Sequence, residues 1–244
     1  MFLLDLLFPK TCRSCGDSFR CGLSNILCLS CFNSIKPYEE PVCDHCGVSL
    51  PTRAFEGAVR SRCVDCGEED SYLDQVRAFG AYEGALRLAH HAFKFEGMEG
   101  LMGTIAEKMK NTPPAPFWEG VDAVVPVPLS PERQRERGYN PSFLLAEEIS
   151  NLAKVPLQPL LIKTKSTESQ MTLSREQRIR NPKGVYQYST RGGSAAKVIL
   201  VDDVLTTGAT LEECAKVLKQ SKVSWVGALV FGRTPLHFQS LTPQ

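Results

Sequence analysis

The sequence carries almost no net charge: 28 Lys and Arg against 27 Asp and Glu leave +1 over 244 residues. So balanced a chain has no bulk field suited to a dedicated nucleic-acid binder, and any such role must rest on local patches. Long hydrophobic runs are missing too. The apolar start, Met1 to Phe8, has no basic residues ahead of it and meets Pro9 after eight residues. That is too short for a signal peptide or a membrane span. It is expected to form a short helix with its leucines packed on a neighbouring surface, and the expected location is the cytoplasm. Cysteine is nearly absent from most of the chain: nine of the ten precede residue 67, and only Cys214 follows. This shift predicts a small module over 1–70 and an α/β domain over 71–244.

What the N-terminal part does contain is four Cys-x-x-Cys pairs: Cys12/Cys15, Cys28/Cys31, Cys43/Cys46 and Cys63/Cys66. Twelve residues separate the first two pairs and sixteen the last two. In a reducing compartment such spacing points to metal rather than disulfides. Two thiolates from each of two pairs complete a tetrahedron, so eight cysteines predict two zinc ions. With all positions filled by protein, the zinc is structural. Spacing alone allows sequential or crossed pairing. Cys21 is left over as a loop residue, His45 as a solvated neighbour, and Cys214 lies on the apolar face of a predicted helix. Arg13, Arg20, Arg53, Arg60 and Arg62 alternate with acids, a weak basis for a phosphate-binding face.

The second part alternates strand and helix, as a parallel sheet requires. Strands are expected at 76–82, 121–127, 157–163 and 223–231, and helices at 84–95, 100–110 and 142–153. A proline-rich linker is expected at 111–116. Its most informative stretch is Val198 to Thr210. Four apolar residues suit a strand buried on both faces and expected to end at two adjacent carboxylates, Asp202 and Asp203. Thr206, Thr207, Gly208, Ala209 and Thr210 then form a small-residue turn. Leu211, Cys214, Ala215 and Leu218 recur at helical spacing, so a helix follows at once. Hydroxyls and free N–H groups at its start suit a phosphate, and paired carboxylates suit the vicinal diol of a ribose. A magnesium ion would offset their charge.

This segment resembles the phosphoribosyl-pyrophosphate (PRPP) motif of type I phosphoribosyltransferases. The whole chain is similar to the ComF/GntX family, which sets such a domain behind a double zinc ribbon. The resemblance implies a parallel sheet flanked by helices and favours sequential zinc pairing. It implies PRPP with magnesium as ligand, and a transferase of the glycosyltransferase class as the activity to test for. Pro126, Val127 and Pro128 resemble the family's pyrophosphate loop, and the run from Arg133 through Arg135 and Arg137 to Gly138, Tyr139 and Asn140 resembles the mobile flap above it. Arginines suit a leaving pyrophosphate because guanidinium groups bind phosphate oxygens in pairs. Pro141 departs from the family's glutamine at that position but suits a helix start.

A second basic stretch, from Gln170 and Leu173 through Arg175, Arg178 and Arg180 to Asn181 and Lys183, also resembles a family segment. His90 and His91 are adjacent on a helix and face different ways, so they are expected to be surface or core residues. Lys94 matches a family lysine and is the better phosphate candidate. ComF relatives are associated with natural competence, which implies a second reading: a DNA-uptake factor binding single-stranded DNA and competence-machinery proteins. In that reading the PRPP site serves for sensing or anchoring, and Tyr139 and Tyr186 stack on the strand. The arginines Arg133, Arg135, Arg137, Arg178 and Arg180 are expected to converge near the acidic turn.

Overall fold

The computed structural model describes residues 10–19, 26–51, 62–67, 70–95, 99–164, 184–190 and 193–235. Met1 to Phe8, Cys21 and the basic stretch with Arg175, Arg178 and Arg180 lie outside the described residues. Near the N-terminus a two-residue hairpin pairs β1 (Lys10–Thr11) with β2 (Ser18–Phe19), and the short helix α1 (Leu29–Asn33) follows.

The main body contains β3 (Gln75–Ala81), α2 (Gly84–Phe95), α3 (Glu99–Asn111), β4 (Ala123–Pro126), α4 (Pro131–Arg137) and α5 (Pro141–Ala153). Then come β5 (Leu161–Lys163), β6 (Tyr186–Tyr188), β7 (Lys197–Leu205), α6 (Ala209–Gln220) and β8 (Trp225–Arg233).

Four strands form one parallel sheet in the order β3-β8-β7-β4. β8 is buried over Val226 to Arg233 because layers cover both faces. On one face Phe79, Val124, Ile199, Val201, Leu229 and Phe231 meet α2, α3 and α5. On the other, Val76, Ala78, Val125, Val198, Leu200 and Val230 meet α6 and the β5–β6 ribbon. The alternation follows from the period of two along a strand. The chain leaves β4 for α5 on the first face and leaves the adjacent β7 for α6 on the second. A crevice therefore opens between the carboxyl ends of β4 and β7, where ligands bind in sheets of this class.

Three expectations change. β7 does not end at the acidic pair but runs on through Asp202 and Asp203 to Leu205, still paired with β8. The predicted strand 157–163 is reduced to Leu161–Lys163. It leaves the sheet to pair antiparallel with β6, while Leu157 makes only a single bridge to Val124. The arginine flap is not a loop: Pro131 to Arg137 is a helical segment, capped by Ser130, whose hydroxyl accepts from Arg133 N, and ended by Gly138 at φ +83°.

The zinc-bearing segment is more than an appendage. Cys12, Phe19, Leu27, Cys28 and Phe32 are buried in the same cluster as Phe79, Leu86 and Phe93. The second pair of knuckles docks through the backbone: Val76 N donates to His45 O at 2.6 Å, and the buried Arg233 donates to Cys46 O at 2.9 Å.

Candidate functional site

The cysteine clusters can be built from local turns. Each first knuckle closes with a backbone bond, Gly16 N to Cys12 O at 2.8 Å and Gly47 N to Cys43 O at 2.9 Å. Sulfurs of Cys12, Cys15, Cys28 and Cys31 all lie within 4.8 Å of one another, and so do those of Cys43, Cys46, Cys63 and Cys66. The pairing is therefore sequential. Zn–S bonds of about 2.3 Å in a tetrahedron put sulfurs about 3.8 Å apart. The separations of 3.9 Å for Cys15–Cys28 and 3.6 Å for Cys46–Cys63 fit that ion. Backbone N–H groups of Cys28 and Cys63 point at the sulfurs of Cys12 and Cys43, at 3.4 and 3.3 Å, as thiolate ligands require.

The second centre lies at the crevice. β7 delivers Asp202 and Asp203, and the turn from Thr206 to Gly208 leads into α6. Gly208 stands at φ +81° and caps that helix without a side-chain hydrogen bond, a backbone shape that glycine adopts without strain. From β4, Val127 O accepts from Asn140 Nδ2 at 3.0 Å, which ties the Pro126-Val127-Pro128 turn to the start of α5. Asn140 also caps α5, with Pro141 at the first helical position, so the proline costs the fold nothing there. Next to it Ser142 donates to Asp202 Oδ1 at 2.7 Å.

Asp203 is held from the other side. Lys94 Nζ lies 2.6 Å from its Oδ2 and His90 Nε2 lies 3.2 Å away, the latter a close electrostatic contact rather than an aligned hydrogen bond. His90 Nδ1 pairs with Tyr82 Oη at 2.8 Å. Tyr139 donates to the carbonyls of Phe93 and Lys94, at 3.2 and 2.8 Å, and so fastens the end of α4 to the end of α2.

These contacts set the charges. Burial raises Asp202, and the neighbouring charge of Asp203 raises it further, to about 7. Burial works on Asp203 in the same direction, but the His90 contact and the Lys94 charge hold it well below the carboxylate range. His90 is lowered by burial against the pull of Asp203. Lys163, on β5, is lowered by burial, and its ammonium stands 5.4 Å from the centre of the Tyr186 ring.

The structure thus brings together Asp202, Asp203, Lys94, the Pro126–Pro128 turn and the Thr206–Thr210 turn. Of the arginines, the charge of Arg137 bears on His90 and Tyr139, and that of Arg133 on Lys163 and Tyr186. Arg135 turns back, its Nε donating to Pro131 O at 3.2 Å, and is exposed. His91 is exposed and His90 buried, as expected of surface and core positions, and His90 also faces Asp203. Ser142 and Tyr82 escaped the sequence reading, since neither belongs to a motif. A groove of about 510 Å³ adjoins the Pro126–Pro128 turn, among Leu129, Tyr139, Phe143, Leu144, Leu161 and Lys163.

Comparison with known proteins places this geometry. The double zinc ribbon domain family matches residues 3–69, which hold all eight paired cysteines, and the phosphoribosyl transferase domain family matches 140–235. Competence protein F of Haemophilus influenzae is 30% identical over 220 residues, 87% of this chain and 92% of that protein. The chain belongs to the ComF family. Competence protein ComFC of Bacillus subtilis is 26% identical over 85% of this chain and 84% of its own length. The DNA utilization protein YhgH of Escherichia coli O157:H7 is 25% identical over 94% and 99%. In this ComF-family chain the transferase match contains Ser142, both aspartates and the Thr206–Thr210 turn, while β4, the Pro126–Pro128 turn, His90 and Lys94 precede it. No helix among the described residues is long and apolar enough to cross a membrane.

Proposed function

We propose that this protein binds PRPP with magnesium at the β4–β7 crevice and transfers its phosphoribosyl group to a nitrogen or oxygen nucleophile. One observation supports the reading above all. An acidic pair, a glycine-opened helix start and a proline turn from the adjacent strand meet at one sheet edge. The acidic pair at Asp202 and Asp203 would form the ribose site, and the Thr206–Thr210 turn with the start of α6 would receive the 5-phosphate. The Pro126–Pro128 turn and Arg137 would face the pyrophosphate. Carboxylate and phosphate oxygens are a suitable donor set for magnesium, which supplies charge neutralisation at the leaving group. In the transfer, the bond from the ribose C1 to the pyrophosphate oxygen breaks as the nucleophile bonds to C1. The protein's part is to hold the sugar, neutralise the leaving group and exclude water.

Calorimetry tests this directly. Wild type should bind PRPP only with magnesium. Asp202→Asn should weaken binding about 10- to 100-fold, the equivalent of losing a charged hydrogen bond of about 1.5–3 kcal/mol. No heat with PRPP and magnesium would sink the reading.

A second reading comes from the relatives' names, competence and DNA utilization, and from three arginines on one short helix beside the crevice. Here the same edge meets single-stranded DNA. Tyr186 is buried and could not stack on a base, so this reading rests on Tyr139 and on charge.

A further inference from the structure

The acidic pair is not symmetric. Asp203 has both oxygens engaged inside the protein: Oδ1 accepts from Val204 N at 2.7 Å, and Oδ2 faces Lys94 at 2.6 Å and His90 at 3.2 Å. Asp202 Oδ1 accepts from Ser142 and from Asp203 N, at 2.7 and 2.9 Å, while its Oδ2 has no hydrogen-bond partner among the described residues. Behind Asp203 the support continues. His90 is 5% exposed and packs edge-on against Tyr82, with ring centres 5.2 Å apart. Tyr82 N in turn donates to Arg233 O at 2.7 Å, which anchors the tyrosine to the end of β8. Lys94 is fixed at its backbone by Tyr139 and at its ammonium by Asp203.

A largely enclosed carboxylate tied to an ammonium and a buried imidazole gives up those partners only at a cost, because the imidazole would be left desolvated and unpaired. A carboxylate with one oxygen open can accept two ligand hydroxyls with no internal bond broken. We propose that the two carboxylates divide the work. Asp202 is the acceptor of the ribose hydroxyls, and Asp203 is a positioning anion, braced by His90 and Tyr82, that fixes the Lys94 ammonium at the site. This rests on the PRPP reading above and assigns roles within it. Placing one lysine charge beside the sugar matters because a ligand with a magnesium-bound pyrophosphate still carries excess negative charge. A lysine without its anchor would sweep several rotamers and lose that placement.

The test uses the full-length zinc-loaded protein and two readouts: PRPP–magnesium affinity, and the reactivity of the Lys94 amine toward reductive methylation, read by mass spectrometry. Asp202→Asn should lower affinity at least tenfold and leave Lys94 labelling unchanged. Asp203→Asn and His90→Leu should both raise Lys94 labelling severalfold, and His90→Gln, which keeps a polar N–H group facing Asp203, should restore most of the protection. Should Asp203→Asn fail to fold, the His90→Leu and His90→Gln pair decides the matter. Lys94 labelling that stays at the wild-type level in His90→Leu would overturn the positioning role. Equal affinity losses in Asp202→Asn and Asp203→Asn, with Lys94 still protected in both, would overturn the division. If wild type binds no PRPP, the ligand role of Asp202 falls with the PRPP reading. Lys94 labelling then still decides the role of Asp203.

Discussion

Gly16 and Gly47 occupy the same place in two cysteine knuckles, yet alanine should be tolerated at one and not at the other. Both have positive φ, +80° and +70°, so alanine at either position brings its Cβ toward a carbonyl at a cost of about 1–2 kcal/mol. Space separates them. A Cβ on Gly16 meets nothing within 4 Å, whereas one on Gly47 falls 2.8 Å from Val76 O and 3.1 Å from Arg77 Cδ. The Val76 carbonyl belongs to β3 and accepts from Arg77 Nη1 at 2.8 Å, so it cannot swing aside without disturbing the sheet edge. Overpacking of this kind adds about 1–3 kcal/mol. Gly16→Ala should therefore cost about 1–2 kcal/mol and Gly47→Ala about 2–5 kcal/mol. At about 2–4 °C per kcal/mol for a chain of this size, the midpoints should drop by about 2–8 °C and about 4–20 °C. Scanning calorimetry at matched free zinc reads both, with the metal's own contribution held constant. Equal midpoints for the two variants would refute the close docking of the second knuckle on β3.

Other outcomes follow from the charges and the clusters. Asp202 keeps its proton to about pH 7 in the folded state, against 3.8 ordinarily, so stability should fall as pH rises between these values. Asp202→Asn should flatten that slope and raise the melting temperature more at pH 8 than at pH 4, and superimposable profiles would refute it. Metal analysis should find two zinc ions per chain, with Cys12→Ser and Cys43→Ser each losing one. Fewer than one in a folded wild type would refute the assignment of both cysteine clusters to zinc. Arg137→Ala should weaken PRPP much more than single-stranded DNA. If the arginines serve DNA instead, neutralising Arg133, Arg135 and Arg137 together should flatten the salt dependence of strand binding and spare PRPP.

The parts legible in the sequence are those whose chemistry is contiguous. Each zinc ligand announces its neighbour three positions on, and the strand, acids, turn and helix of Val198–Gln220 form one unbroken segment. The supports of the acids are not contiguous. Ser142, His90 and Tyr82 come from α5, α2 and the end of β3, and only the folded sheet brings them to Asp202 and Asp203. His90 lies one turn before Lys94 on α2, and that i, i+4 spacing was the available signal. Two carboxylates inside β7 hid the strand's true end, because an apolar run is the usual mark of a buried strand. They are tolerated there because the crevice opens between β7 and β4 and because Ser142, His90 and Lys94 supply partners. The β5–β6 ribbon was hidden for another reason: its three-residue strands pair across a long separation, Leu161 with Tyr188.

The zinc ribbon and the crevice are joined by one residue whose role no motif declares. Arg233 ends β8 with its guanidinium buried and its Nη1 on Cys46 O, inside the second cysteine cluster. Its own carbonyl holds Tyr82 N, the first step toward His90 and Asp203, and the N–H of the next residue, Thr234, donates to Leu205 O at 2.9 Å, where β7 gives way to the Thr206–Thr210 turn. Arg77 repeats the pattern from β3, with Nη1 on Asp44 O at 3.2 Å. A buried guanidinium needs acceptors, and here a knuckle carbonyl provides one to each arginine. The zinc sets the position of those carbonyls, since the knuckle is folded around its thiolates. The ribbon therefore braces the β7 side of the crevice, at Tyr82 and at Leu205, which gives a structural zinc domain a reason to be fused to a phosphoribosyl transferase domain.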